Sequence, residues 1–407
     1  MISKITERIR QNEKWINLAY YLIYAALFFS ALVGTTEFMQ WPYVPHIRNM
    51  VYMGSTGVML LLWVLSLALQ RDFRINAIKI LILTIGILQF LLGGGSSLIL
   101  ILTILIGATD RKSADIILKE SLIIGLLVLC VTYLASMKGY ITYSLSSDGR
   151  HFFGFIYYSH FSDKLLYFYM MYRCLRRKRE TLIGYALILE IVYLDYRYTH
   201  ARTVTICFLA FILLCAVYDI WKWRQENKRV EIVKAPGCLW RKISYITAAL
   251  ASGAYIWATL LSMGGIAVYR LLETMDQVKI PEYLQTFMAR LFFNSRALEE
   301  YGITAFGQGV YEITNTSGGE NIISGAFYLD NSFIRLFIIT GVVTLAFFII
   351  YTTCFMWKTF KEKRFCLFAA LLVAAIGGLS ETYTINFYYN VFLILAFSNL
   401  GDRDIGA

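Results

Sequence analysis

Apolar segments about 20 residues long recur along almost the whole chain, which is the length a helix needs to cross the hydrocarbon core of a bilayer. We predict twelve such segments, near residues 15–33, 50–69, 75–92, 96–108, 116–136, 156–175, 181–196, 203–220, 243–265, 333–356, 365–379 and 383–400. Hydrophobic residues make up 58% of the chain and charged residues 16%, against roughly 45–50% and about 25% in soluble domains. The sequence therefore predicts an all-α polytopic membrane protein, with residues 1–407 forming a single integral membrane domain.

The sixth segment differs from the others because polar residues occupy its first half. These residues are Ser159, His160, Asp163 and Lys164. The apolar remainder, residues 165–175, is too short to cross a bilayer alone. We therefore expect this helix to extend outward through the polar residues.

Lysine and arginine cluster in alternate loops, and this bias predicts how the chain is oriented. The clusters lie near residues 173–179, 222–242 and 358–364. Because such clusters mark the cytoplasmic side of membrane proteins, we place both termini in the cytoplasm. The same bias accounts for the net charge of +11 without a nucleic-acid partner.

The sequence contains no pattern typical of a metal or nucleotide site. None of the seven cysteines falls in a predicted outer loop, and their spacing does not match a zinc site. No glycine-rich phosphate loop is present either. We therefore expect a protein that needs neither a metal ion nor a cofactor.

The longest polar stretch, residues 266–332, separates the ninth and tenth predicted segments and forms one large extracytoplasmic loop. Within it, Leu284, Phe287, Leu291 and Leu298 fall on one face of a helix. The loop is therefore predicted to contain short helices, one of them amphipathic.

Arginines recur in three outer elements, which contain Arg150, Arg202 and Arg296. The planar guanidinium group forms bidentate, charge-assisted hydrogen bonds with phosphate oxygens. Together these arginines predict a site for a diphosphate at headgroup depth. The simpler alternative is that each arginine extends to a lipid headgroup without binding a substrate.

Several short motifs occur in the order found in a known family. They are Arg150 with Gly154-Phe155, His200-Ala201-Arg202-Thr203, Ser295-Arg296, Phe306-Gly307-Gln308-Gly309, Leu329-Asp330-Asn331-Ser332-Phe333, and Glu381. This arrangement resembles the Wzy-type O-antigen and capsule repeat-unit polymerases, which share a superfamily with the O-antigen ligases. The chain departs from the family pattern at Tyr157–Ser159, where Pro-Asn is usual, and at Ala201, where serine is usual.

The resemblance implies a membrane glycosyltransferase of GT-C-like fold in the bacterial plasma (inner) membrane. Such an enzyme joins polyprenyl-diphosphate-linked oligosaccharides on the outer face, and membrane lipids and a chain-length regulator are further implied partners. The implied catalytic residues are Arg202 and Arg296 at the diphosphate and either Asp330 or His160 as general base. The implied substrate-binding residues are Arg150, Arg290, Gly154, Asn331, Gly307 and Glu381.

Two other functions fit the same pattern of segments. An O-antigen ligase-type transferase would use the same donor, and a flippase or transporter of lipid-linked oligosaccharides would also have about twelve helices. All four prolines lie outside the predicted spans, so no span shows the interrupted helix common in transporters.

Overall fold

The computed structural model describes residues 13–70, 72–95, 97–146, 148–176, 178–228, 238–274, 285–312 and 327–401. Over these ranges the chain is helical, without a β-strand. The helices are α1 Glu13–Val33, α2 Val44–Leu69, α3 Phe73–Leu92, α4 Ser97–Ala108, α5 Ala114–Met137, α6 Tyr158–Leu175, α7 Leu182–Thr199, α8 Arg202–Lys228, α9 Cys238–Ser252, α10 Ala254–Glu273, α11 Gln285–Tyr301, α12 Ser332–Arg335, α13 Gly341–Lys361 and α14 Phe365–Gly377.

Several helices have the length and apolar character that a membrane requires. In the described ranges, six segments qualify: Glu13–Val33, Val44–Ala68, Phe73–Leu92, Arg202–Arg224, Ala254–Glu273 and Ser332–Lys361. Two apolar helices, α4 and α14, are shorter. Nearly every side chain of α4 is buried, so this short helix lies inside the bundle. These features indicate an all-helical membrane protein, in agreement with the predicted class.

The ninth predicted segment is two helices rather than one. The break lies at Gly253, whose backbone N–H still bonds to the carbonyl of Leu250 at 3.1 Å before α10 starts. Glycine weakens a helix because its backbone has more freedom to lose. Beyond the break, α10 continues to Glu273, so the large loop starts later than the predicted boundary at Ile266.

The twelfth predicted segment, residues 383–400, is not an α-helix, and this prediction was wrong. The chain forms two short 3-10 turns there, Tyr383–Ile385 and Val391–Leu395, joined by tight turns. Asn390 contributes to the departure from helix, because its side-chain amide donates to the carbonyl of Thr384 at 2.8 Å. Asparagine side chains that bond to nearby backbone compete with helical hydrogen bonds.

This irregular segment crosses the interior of the bundle. At one end the Tyr383 hydroxyl lies 3.2 Å from the Ser159 hydroxyl at the start of α6. At the other end the N–H of Asn399 bonds to the carbonyl of Lys112 at 2.8 Å, beside the start of α5. Residues 391–395 between them are fully buried. Non-helical backbone is tolerated at membrane depth only where protein covers it, and this burial meets that condition.

The tenth segment is interrupted by a single π turn, Leu336–Thr340, between α12 and α13. The carbonyl of Ile339 accepts the N–H of Gln308 at 3.2 Å instead of continuing the helical ladder. A short loop, residues 304–309, therefore docks against the interruption.

Gly307 is required for this docking. Its φ is +91°, and a Cβ there would lie 2.0 Å from the carbonyl oxygen of Ile339. We expect Gly307→Ala to destabilise the protein by about 1–3 kcal/mol, seen as a lower unfolding temperature in detergent. Gly309→Ala is the control, since nothing lies within 4 Å of its Cβ position; equal losses in both variants would contradict the argument.

Candidate functional site

One end of the bundle carries the turns 34–43, 148–157 and 378–390, and we call it the site end. The first two turns pair through backbone hydrogen bonds, from the N–H of Glu37 to the carbonyl of Gly154 at 2.9 Å and from the N–H of Ile156 to the carbonyl of Thr35 at 3.2 Å. Gly154, whose φ is +81°, also lets the second turn pack closely on α5, where a Cβ would lie 2.8 Å from the Cβ of Ser136.

An ion pair on the large loop forms the centre of the candidate site. The Nε of Arg290, on α11, lies 3.3 Å from the Oδ2 of Asp330 just before α12. About 28% of the Arg290 side chain and 32% of the Asp330 side chain remain exposed. A ligand can therefore reach both groups. This pairing brings together two residues that the sequence analysis assigned to substrate binding and catalysis.

Asn331 holds Asp330 in place by capping α12. Its Oδ1 accepts the N–H groups of Phe333 and Ile334 at 2.9 and 3.0 Å, the usual role of asparagine at a helix N-cap. Its amide donates to the Ser262 hydroxyl and to the carbonyl of Leu379, each at 2.8 Å. These contacts engage both polar atoms of the Asn331 side chain and position the start of α12; its predicted part in substrate binding stays a prediction.

Glu381 lies next to the ion pair. The Ser332 hydroxyl donates to the Glu381 carbonyl, which ties the turn after α14 to the start of α12. Burial, together with the negative charge of Asp330, raises the pKa of the Glu381 carboxyl to about 8, and the charge of Arg290 opposes the shift. Glu381 is therefore largely protonated at neutral pH.

Burial also raises the pKa of Asp330, while Arg290 acts in the opposite direction. The carboxyl groups of Asp330 and Glu381 thus share Arg290 as a cationic partner, and their environments differ. Such pairs of titratable groups are a feature of sites that carry out acid–base chemistry.

Arg150 extends this region toward α6. Its guanidinium lies 4.5 Å from the centre of the Tyr158 ring, and its Nε lies 2.6 Å from an oxygen of Asp148. Tyr158 is the first residue of α6, so these contacts place Arg150 beside the start of that helix.

The first half of α6 is polar, as predicted, and it is buried. The His160 ring is enclosed by aromatic residues, with Tyr157 and Tyr383 each 5.2 Å away between ring centres. Lys164 is 1% exposed, and its Nζ donates to the Tyr389 hydroxyl at 3.0 Å. The His160 ring is therefore less accessible than Asp330 to a substrate from outside.

Asp163 is one of several residues on α6 with a buried polar atom that lacks a hydrogen-bond partner in the described part of the chain. Its Oδ2 has no hydrogen-bond partner among the described residues, and the residue is 3% exposed. A cavity of about 10 Å³, lined by Asp163, Glu381 and Thr203 among others, lies beside it. That volume is at the lower limit for one water molecule, which would satisfy the orphaned oxygen.

The two arginines predicted to be catalytic, Arg202 and Arg296, form no ion pair with Asp330 in the part of the chain that the structure describes. The Nε of Arg296 is 2.6 Å from the Oε1 of Glu300, one turn along α11, and about 41% of its side chain is exposed. Arg202 is exposed at the start of α8. Its neighbour Thr203 lies 3.3 Å from Ser380, between the hydroxyl oxygens, which brings this end of α8 close to the Glu381 turn.

The sequence analysis assigned no role to four residues that complete this region: Tyr158, Asp163, Lys164 and Tyr389. Charged residues at the start of an apolar helix were a usable signal for Asp163 and Lys164. Tyr158 and Tyr389 gave no such signal, because aromatic residues at helix ends are common in membrane proteins.

Comparison with known proteins finds no match: no protein-family profile fits the sequence, no curated protein matches it, and no solved structure matches the fold. The family resemblance of the motifs thus remains a prediction.

Proposed function

We propose that this protein is a membrane glycosyltransferase that joins polyprenyl-diphosphate-linked oligosaccharide units into a polysaccharide. The observation that supports this best is the partly exposed Arg290–Asp330 pair, next to the Glu381 turn that Ser332 ties to the start of α12, in a bundle with several long apolar helices. A lipid-linked substrate needs both an apolar environment for its chain and cations for its diphosphate. The apolar helices and Arg290 would supply them.

Arginines would hold the leaving diphosphate. Charge-assisted hydrogen bonds aimed at developing negative charge are among the largest catalytic contributions known in enzymes. In this proposal Arg290 and Arg150 bind the diphosphate directly. The exposed side chains of Arg202 and Arg296 add positive charge from α8 and α11.

Asp330 would act as the general base that removes a proton from the attacking sugar hydroxyl. The proton passes to the carboxylate, the hydroxyl oxygen forms the new glycosidic bond, and the bond to the diphosphate breaks. Of the two candidate bases, Asp330 is the more accessible, since the His160 ring lies buried among aromatic residues. Because Asp330 lies next to Arg290, its carboxylate would also be close to the bound diphosphate, where the sugar hydroxyl reacts.

A gel of surface glycans from the native host tests the proposed function. Deleting the gene should convert a ladder of polymer into a single repeat unit, and the wild-type gene should restore the ladder. Arg74→Ala, which alters an exposed arginine on α3, serves as the control and should restore it equally. An intact lipid-linked ladder lacking only its final attachment would indicate a ligase instead, and single units trapped on the inner face would indicate a flippase.

The raised pKa of Glu381 predicts how transfer depends on pH. Glu381 is neutral below about pH 8, and above it becomes a second negative charge near the diphosphate. We therefore expect donor binding to weaken as the pH rises through about 8, and Glu381→Gln to remove this dependence. Initial rates at several donor concentrations between pH 6 and 9 measure it. If donor binding by Glu381→Gln still weakened as the pH rose through about 8, Glu381 would not be the cause of the pH dependence.

A further inference from the structure

A separate apolar groove lies between α1, α2 and α5. Its volume is about 340 Å³. Apolar side chains that line it include Phe29, Val33, Ile47, Val51, Leu127 and Val131. All of them belong to the halves of these helices nearest the site end, because α1 ends and α2 begins at the turn 34–43.

Arg48 is the single charged side chain among the residues that the structure describes as lining this groove. Its Nε donates to the carbonyl of Ser30 at 3.1 Å, and its Nη1 donates to Oδ1 of Asn49 at 2.9 Å. The guanidinium lies 4.5 Å from the centre of the Tyr52 ring. These contacts fix the guanidinium at the groove wall, and all of them are with uncharged groups.

No carboxylate within the described ranges forms a salt bridge with Arg48. An unpaired cation beside an apolar surface in a membrane is costly, and an arginine near a helix end usually extends to the level of the lipid headgroups. The groove therefore presents an apolar channel and one unneutralised positive charge together. Both are features of the same ligand class, a lipid with an anionic head.

We propose that this groove binds one acyl chain of an anionic phospholipid, with the lipid phosphate held by Arg48. One guanidinium offsets the single negative charge of a phosphodiester. A lipid diphosphate carries more charge than Arg48 alone neutralises, so the observations favour a phospholipid over a polyprenyl diphosphate. This site is distinct from the Arg290–Asp330 site and does not depend on the proposed function.

The bound lipid would stabilise the turn after α1, which belongs to the site end. The turn that closes the groove at Val33 continues directly into Thr35, whose carbonyl accepts the N–H of Ile156 at 3.2 Å. The same carbonyl lies 3.5 Å from the Nδ1 of His160. The groove and the buried polar start of α6 thus both adjoin the short turn that follows α1.

Native mass spectrometry of the full-length protein tests this site, after delipidation and addition of phosphatidylglycerol or phosphatidylcholine. We expect wild type to retain phosphatidylglycerol in preference to phosphatidylcholine. Arg48→Gln should lower that retention roughly tenfold, since a charge-assisted hydrogen bond is lost. Val131→Trp, which fills the groove, should lower retention of both lipids.

Lys138→Gln is the matched control, because it removes an exposed cation at the end of α5 outside the groove, and its retention should equal that of wild type. Circular dichroism confirms that each variant keeps its helical content. Equal retention of phosphatidylglycerol by wild type, Arg48→Gln and Val131→Trp would overturn the proposal. Displacement of phosphatidylglycerol by an equimolar polyprenyl diphosphate would also overturn it, in favour of a substrate-lipid groove.

Discussion

Replacing Asp330 with asparagine is expected to lower glycosyl transfer by about 10²–10⁴-fold, the range that loss of a general base produces. The amide keeps the size of the side chain but cannot accept the proton of the sugar hydroxyl. With Asp330 as the proposed base, the wild-type rate should fall at low pH as the Asp330 carboxylate is protonated. The variant should lack this fall. Initial rates of the purified protein with a lipid-linked donor, followed between pH 4 and 9, measure both effects.

Glu299→Gln is the matched control for this variant. Glu299 is a carboxylate on α11, the helix that carries Arg290; it is paired with Arg270 at 3.2 Å and mostly exposed, so its amide should leave transfer nearly unchanged. Asn331 still caps α12 in the Asp330→Asn variant, so the protein should fold normally. Near-normal transfer by Asp330→Asn would remove the carboxylate from the mechanism and return His160 to consideration.

Arg290→Ala is expected to lower transfer by about 10²–10³-fold, as loss of one donor to the developing charge does in other enzymes. It should have a second effect on pH dependence. The charge of Arg290 lowers the pKa of Asp330, so its removal should move the acidic limb of the rate profile to higher pH. A variant that had merely lost structural support would show a lower rate with the limb unmoved.

Arg270→Ala controls for loss of a loop arginine. Arg270 donates from its Nε to the Ser295 hydroxyl at 3.0 Å and pairs with Glu299, away from Asp330. We expect it to retain transfer within a few fold. If Arg270→Ala and Arg290→Ala reduced the rate equally, the effect would belong to the loop as a whole rather than to the diphosphate.

Helix positions were largely predictable because hydrophobic length is the main requirement of a membrane span. The same criterion misled at residues 383–400, where an apolar stretch of adequate length is not helical. The side chain of Asn390 forms a hydrogen bond that competes with helical hydrogen bonds. The surrounding helices bury the irregular backbone that results. Burial by tertiary contacts is a property of the whole bundle, so the composition of the segment did not reveal it.

The site was predictable in part for a similar reason. Arg290 and Asp330 lie in one polar loop, where a sequence can indicate exposed charges. Their direct pairing, and the proximity of the Glu381 turn, depend on how α11, α12 and α14 meet. No partner for Asp163 could be recognised from the sequence, because Glu381, which lines the same cavity, is more than 200 residues away along the chain.

The irregular segment 383–400 has a consequence for how the protein is made. A chain without a complete set of helical hydrogen bonds cannot enter lipid alone, because each unpaired backbone group costs several kcal/mol there. This segment must therefore enter the membrane together with, or after, the helices that enclose it. In either order, the enclosing helices can complete their packing only once residues 391–395 lie between them.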